Sequence, residues 1–146
     1  MRQLSVEEID EVLIRNGTGI LSLADGNQPY AIPMSFGYDG TEPIFPMQWG
    51  AGYNGRKERC IESNPNACFT VYEQHPDQPL ISRSVVIEDT IREISEEQEA
   101  QAYASLAENA EFGTTLDVWT PPFEQVELKL FGLAIEVQNG REFSPE

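Results

Sequence analysis

Apolar and polar positions divide this chain into short segments of two periods. Ile9, Val12 and Leu13 recur at i, i+3 and i+4, the spacing of one helical face. Ser5 stands before them as an N-cap, Glu8 completes a capping box, and Asn16-Gly17 supplies a stop. A helix is therefore predicted over residues 6–15.

The period then shortens to two. Strands are predicted over 19–24, 29–38 and 43–48, joined by the turn signals Asp25-Gly26-Asn27-Gln28 and Asp39-Gly40-Thr41-Glu42, as an antiparallel meander. Pro33 lies inside the second strand, and proline cannot donate to a ladder, so that strand needs an edge or a bulge there. A short helix over 55–63 ends at Asn64-Pro65-Asn66. Strand four covers 67–73, and a long strand five covers 82–94 with Val85, Ile87 and Ile91 on alternating positions. Ser95-Glu96-Glu97-Gln98 reads as a second capping box, opening a helix to residue 108 with Ala100, Tyr103, Ala104 and Ala107 suited to close packing. Residues 109–122 read as irregular, 124–137 as strand six, and Asn139-Gly140 as a turn before a polar tail. Six strands with mostly short connections predict a mainly β fold, a six-stranded antiparallel barrel with flanking helices. Residues 1–146 form one domain, and 40 % apolar residues suffice for a core.

Charge changes this picture more than composition does. The net charge is −16, with nine Lys and Arg against twenty-five Asp and Glu. Acidic excess laid over normal apolar patterning fits a folded, halophilic protein whose surface stays hydrated in a salt-rich cytosol. At about 1 M salt the Debye length is only about 3 Å, so self-repulsion is screened while contact hydrogen bonds survive. No basic stripe is present to neutralise a nucleic-acid backbone. No segment is apolar enough to span a bilayer or serve as a signal peptide, so a cytoplasmic location is expected. Cys60, Cys68 and His75 are too few for an ordinary structural zinc site, and packing is the expected role of both thiols. His75, in a polar loop between prolines, reads as a surface residue.

Against so few bases, one stretch stands out. Gly50-Ala51-Gly52-Tyr53-Asn54-Gly55-Arg56-Lys57-Glu58-Arg59 holds three glycines and then three bases within four residues. Glycine lets the backbone approach a ligand closely, and a helix beginning near Arg56 adds N–H groups and a positive dipole end. The stretch is a candidate anion site; the competing reading is a surface loop leading into solvated helix bases. Arg59, one turn on, points either at the anion or at Glu62 and solvent. No nucleophile–base pair or paired carboxylates suggest hydrolytic machinery, and catalytic residues are not identified.

Gln28-Pro29-Tyr30-Ala31-Ile32-Pro33-Met34-Ser35-Phe36-Gly37-Tyr38-Asp39 resembles a strand motif of the pyridoxamine 5′-phosphate oxidase-like, FMN-binding split-barrel family. Gly55-Arg56-Lys57, Asn64-Pro65-Asn66-Ala67-Cys68-Phe69, Ser84-Val85-Val86 and Gly140-Arg141 continue the likeness in the family's order. The resemblance implies a homodimer of split barrels with FMN at the subunit seam. It implies that Arg56 and Lys57 bind the cofactor phosphate, that the backbone at Pro33, Met34, Ser35 and Phe36 runs beside the ring, and that Gln48 and Trp49 line the pocket. Ser84 is a further candidate for that pocket. Trp49 and Trp119 are candidates either to stack on the flavin or to pack in a core or dimer contact. Two departures stand out. Met47-Gln48-Trp49-Gly50 lacks the histidine many relatives carry, and Asp89 replaces a frequent glycine. The basic set that would read pyridoxal phosphate is not evident either, which argues against true pyridoxamine phosphate oxidase activity. The reading is an FMN-dependent oxidoreductase acting on a small molecule. A deazaflavin reductase of the same fold, or a flavin-binding, stress-linked dimer without turnover, are the alternatives.

Overall fold

The structure is a computed structural model and describes residues 1–49, 55–109, 127–135 and 137–145. The elements in order are β1 (Arg2–Gln3), α1 (Val6–Arg15), β2 (Thr18–Asp25), β3 (Gln28–Ser35), β4 (Gly37–Tyr38), β5 (Pro43–Trp49) and α2 (Arg56–Ser63). There follow β6 (Asn66–Gln74), β7 (Ser82–Glu93), α3 (Glu99–Asn109), β8 (Glu127–Leu133) and β9 (Val137–Phe143). Every pairing is antiparallel, and the sheet runs β3-β2-β6-β7-β8-β5-β4, with β9 and then β1 added beside β7.

Strand β7 joins the two halves. From Ser82 to Glu88 it pairs with β6 on one side and β9 on the other; from Ile91 to Glu93 it pairs with β8. The sheet curls around Phe69, whose ring meets Phe36 at 4.9 Å and Phe45 at 4.8 Å, both edge-to-face. Alternation along the strands sends Leu21, Leu23, Val71, Val85 and Ile87 inward. The fold is a mainly β, antiparallel split barrel with flanking helices, as expected.

The expected six strands become nine among the described residues, for identifiable reasons. The second predicted strand is interrupted at Phe36, whose N–H donates to the Gly17 carbonyl at 3.0 Å while the chain passes from β2 to β5. At the next residue the backbone of α3 sits against Gly37, where a Cβ would lie 2.5 Å from the Leu106 nitrogen. Asn139-Gly140 is no turn. It lies within β9, held by β7, while the Gly140 carbonyl accepts from Leu4 N–H at 2.8 Å. Long-range pairing on both sides overrides the local turn preference. Nor is there a bulge at Pro33: β2 and β3 pair without interruption from Thr18↔Ser35 to Asp25↔Gln28. Proline is accommodated because β3 ends the sheet.

The helices follow the same division. The α1 capping box forms, with Glu8 N–H donating to Ser5 Oγ at 3.2 Å and Ser5 N–H to Glu8 Oε1 at 3.0 Å. Its predicted face, Ile9, Val12 and Leu13, is buried. At Ser95 no side-chain cap forms; a 3₁₀ turn over Glu96–Gln98 precedes α3. The buried face of α3 is Ala102, Ser105 and Leu106, not the predicted alanines with Tyr103. Ala102 and Leu106 close a second small core with Ile44 and Leu130 on the outer side of β5 and β8. Among the described residues no helix is long and apolar enough to cross a membrane.

Charge is unevenly distributed over this frame. Around the termini Arg2, Arg15 and Arg83 bind Glu8, Glu11, Glu73 and Glu142 in one connected network. The outer face of β3-β2-β6-β7-β9 is nearly uncharged. Its central row reads Pro33, Ile20, Thr70, Val86, Asn139, and over the stretch of β7 that pairs with both β6 and β9, residues 82–88, Glu88 and Arg141 are its charged residues among those described. Ile20, Tyr72 and Phe143 stand exposed there.

Candidate functional site

Strand β3 and the first turn of α2 build the site. Tyr30, Ile32 and Met34 alternate on the inner side of β3, opposite Leu23, Leu21 and Gly19. The Arg56 guanidinium lies over the Tyr30 ring, 4.5 Å from its centroid. One residue on, Lys57 Nζ approaches Met34 Sδ at 4.0 Å. Gly55 caps α2 without a side-chain hydrogen bond among the described residues, so the positive dipole end lies at its first turn, which carries Arg56, Lys57 and also the acidic Glu58.

The electrostatics are the informative part. Among the described residues neither Arg56 nor Lys57 has an ion pair, in a chain with twenty-five carboxylates. Arg2, Arg15, Arg83, Arg92 and Lys129 all do. Burial of Lys57 pushes its ammonium pKa below the ordinary lysine value. An anion arriving here gains two charge-assisted contacts and relieves a desolvated cation.

The other predicted residues are distributed more widely. Met34 is 7 % exposed and Phe36 fully buried, so at Phe36 the side chain belongs to the core. Pro33 faces the outer surface and Ser35 is half-buried. Trp49 ends β5 on its core side, 5.0 Å from the Phe131 ring and beneath Lys129 Nζ at 5.2 Å. Gln48 points to the opposite side of β5 and pairs with Leu128. Ser84 lies on β7 between Tyr72 and Arg141, three strand spacings from β3, or about 14 Å within one chain. Trp119 and Gly50–Asn54 fall outside the described residues. The structure thus brings Arg56, Lys57 and Met34 together and keeps Gln48 and Ser84 apart from them.

Tyr30, which lies under Arg56, is not among the site residues the sequence singles out. Its signal was available: it precedes Met34 by four positions on an alternating strand, so both side chains share one face. Elsewhere, a cavity of about 350 Å³ lies under α3, lined by Asp39, Glu42, Arg92 and Gln101 among others. Its charges are already matched, with Arg92 donating to Glu42 at 2.7 Å and Gln101 to Asp39 at 3.0 Å. His75 Nδ1 accepts the N–H groups of Asp77 and Gln78 and shapes its loop. Among the described residues no cluster of three metal-ligating side chains occurs.

A sequence profile of the pyridoxamine 5′-phosphate oxidase family matches residues 5–132, nearly the whole chain. The chain belongs to that family. Its fold is that of solved members of the split-barrel group. A FAD-binding protein from Mesorhizobium loti superposes with a TM-score of 0.76 at 24 % identity, covering 98 % of both chains. The FAD-binding protein of Mycobacterium smegmatis gives 0.72 at 18 % identity, over 99 % of this chain and 100 % of that one. A FAD- and heme-binding protein of the same organism gives 0.74 at 17 % identity, over 100 % of this chain and 76 % of that one. A search of curated proteins finds no match. At these identities the likeness concerns the fold; the chemistry of the site rests on this chain's own residues.

Proposed function

We propose that this protein binds a flavin through its phosphate, at Arg56 and Lys57, and works as an oxidoreductase on a small molecule. The carrying observation is the pair of adjacent bases without carboxylate partners among the described residues, at a helix start with no side-chain cap among them, beside the strand β3. The donor set suits a phosphate: a guanidinium offers paired N–H donors, the ammonium adds a compact charge, and the dipole has the matching sign. The flavin-binding relatives of the same fold support the choice of anion.

A bound flavin would supply hydride or electron transfer. The chain's own task is to hold and orient it. Arg56 and Lys57 would fix the phosphate end. The edge of β3, which ends the sheet among the described residues, would offer backbone groups to the polar edge of the ring, a function of the edge and not of any bulge. The phosphate is common to FMN and the flavin half of FAD, and FMN is the simplest ligand that uses it. The protein should bind FMN at high salt and colour yellow, and riboflavin, which lacks the phosphate, should bind more weakly. Titration with FMN, FAD and a deazaflavin against one preparation decides the ligand. Failure of all three at high salt would sink the proposal. A tightly bound flavin that no acceptor reoxidises after reduction would remove the catalytic part and leave a carrier.

The functional unit proposed is a homodimer joined through the outer face of β3-β2-β6-β7-β9. In a chain of net charge −16 a face whose only described charges, over residues 82–88 of β7 and the strands beside them, are Glu88 and Arg141, one of each sign, suits a self-complementary contact. Light scattering at high salt should give twice the chain mass, and Thr70→Arg at the middle of the face should give monomers. A monomeric wild-type protein that still binds flavin would refute this interface.

A further inference from the structure

We propose that Tyr30 is a positioning residue for Arg56, a neutral support that fixes the guanidinium without consuming its charge or its donors. This inference rests on the phosphate reading of Arg56 and Lys57.

An arginine side chain left loose in solvent must lose rotamer freedom when it grips a ligand. Proteins commonly order such a side chain with a carboxylate, as this one does for Arg2, Arg15 and Arg83. At an anion site that solution is self-defeating, because the carboxylate occupies the N–H donors and cancels the field the ligand needs. An aromatic face avoids both costs. It attracts the guanidinium through the ring quadrupole, leaves the in-plane N–H groups pointing outward, and adds no net charge. Tyr30 provides such a face at 4.5 Å. The ring is itself packed against the barrel core, so it offers a fixed platform.

The same strand repeats the device. Met34, four positions on and on the same side of β3, sets a thioether and not a carboxylate beside Lys57 at 4.0 Å. Thus β3 carries an aromatic ring and a sulfur beneath two adjacent cations, in a chain where acidic residues outnumber basic ones by twenty-five to nine.

The test compares FMN with riboflavin in the full-length protein, by fluorescence titration at high salt. Tyr30→Leu should weaken FMN binding about fivefold and leave riboflavin unchanged, while Tyr30→Phe, which keeps the ring face, should behave as wild type. In an Arg56→Ala background, Tyr30→Leu should cost nothing further. Tyr30→Met is the substitute if the leucine variant does not fold, and thermal melts accompany each. Equal weakening of FMN and riboflavin would overturn the inference by making Tyr30 a general packing residue. So would a full fivefold loss in the Arg56→Ala background. If Arg56→Ala together with Lys57→Ala leaves FMN affinity intact, the phosphate reading itself fails. If that double variant weakens FMN and Tyr30→Leu does not, only the role of Tyr30 fails.

Discussion

Two regions of this protein treat arginine in opposite ways. At the joined termini Arg83 contacts Glu142 at 3.0 Å, Glu8 at 3.2 Å and Glu11 at 3.8 Å, and Arg2 bridges Glu8 and Glu142 from the other side. Arg15 extends the network to Glu73. These bases tie β1, α1, β6, β7 and β9 into one unit. At the start of α2, Arg56 rests on a phenol ring and Lys57 near a thioether. The side-chain chemistry is the same, and the surroundings decide its use. A base that finds its counter-charge within the chain serves stability; Arg56 and Lys57, on neutral supports, are proposed to keep their field for a ligand. The contrast is sharper here than in an ordinary protein, because carboxylates are plentiful. Among the described residues Arg141, whose Nη1 donates to Met1 Sδ at 3.6 Å, is another base without an ion pair, but it stands at the exposed terminus and not at a helix start.

The largest effect should come from removing the uncommitted pair. Arg56→Ala with Lys57→Ala should weaken FMN binding at least tenfold, about 1.4 kcal/mol or more, with a melting temperature that does not fall. Loss of stability in that variant would mean that the pair serves the fold after all and would erase the distinction between the two regions.

Arg83→Ala is the converse experiment. Removing the hub of the terminal network should cost about 1–2 kcal/mol in a urea melt, since several partly shielded pairs depend on one side chain. Flavin affinity should stay as it was. A smaller, related effect concerns acid. The Arg2 hydrogen bonds hold the Glu8 carboxyl at about 2, and Arg83 lowers that of Glu142. Both groups have folded pKa values below their unfolded ones, so their stabilisation is complete above about pH 4.5 and is lost as the pH falls through the folded values, which for Glu8 is about 2. Between pH 6 and pH 3 the wild type should therefore lose more stability than Arg83→Ala, which already lacks Arg83's share of the Glu142 contribution while Arg2 keeps its own. Parallel acid curves for the two proteins would show that Arg83 does not act through its carboxylates.

The terminal network could not have been read from the chain, whereas much of the site could. Arg2, Arg83 and Glu142 are far apart in sequence, and only the β7–β9 and β1–β9 pairings bring them together. The local turn chemistry of Asn139-Gly140 even argues against β9. By contrast Gly55-Arg56-Lys57, the helix they open and the proline-marked strand before them are local features, legible from spacing and charge. What escaped was partnership across the fold. Tyr30 and Arg56 lie far apart in sequence, and no periodicity says which side chain supports which. Likewise Gln48 and Trp49 are neighbours in sequence, but strand alternation sends them to opposite sides of β5.

The finest discrimination between the two regions is their response to alkali. Burial, with no carboxylate beside it among the described residues, lowers the Lys57 pKa, whereas the arginines of the network stay protonated throughout. In the ligand-free protein the sign is clear. Between the depressed folded pKa and the ordinary unfolded one, the unfolded chain holds a proton that the folded one lacks, so stability rises with pH as this strain is relieved. Flavin binding should show the opposite trend. A phosphate needs the charged ammonium, so FMN affinity should decline by a few-fold as the pH rises through the depressed pKa, below the ordinary lysine range. Riboflavin carries the same ring without the phosphate and corrects for any titration of the ring itself. Lys57→Arg, always protonated, should flatten the corrected profile. A wild-type profile already flat up to pH 10 would mean that Lys57 has a counter-charge in the folded protein, and that it belongs with the structural bases and not with Arg56.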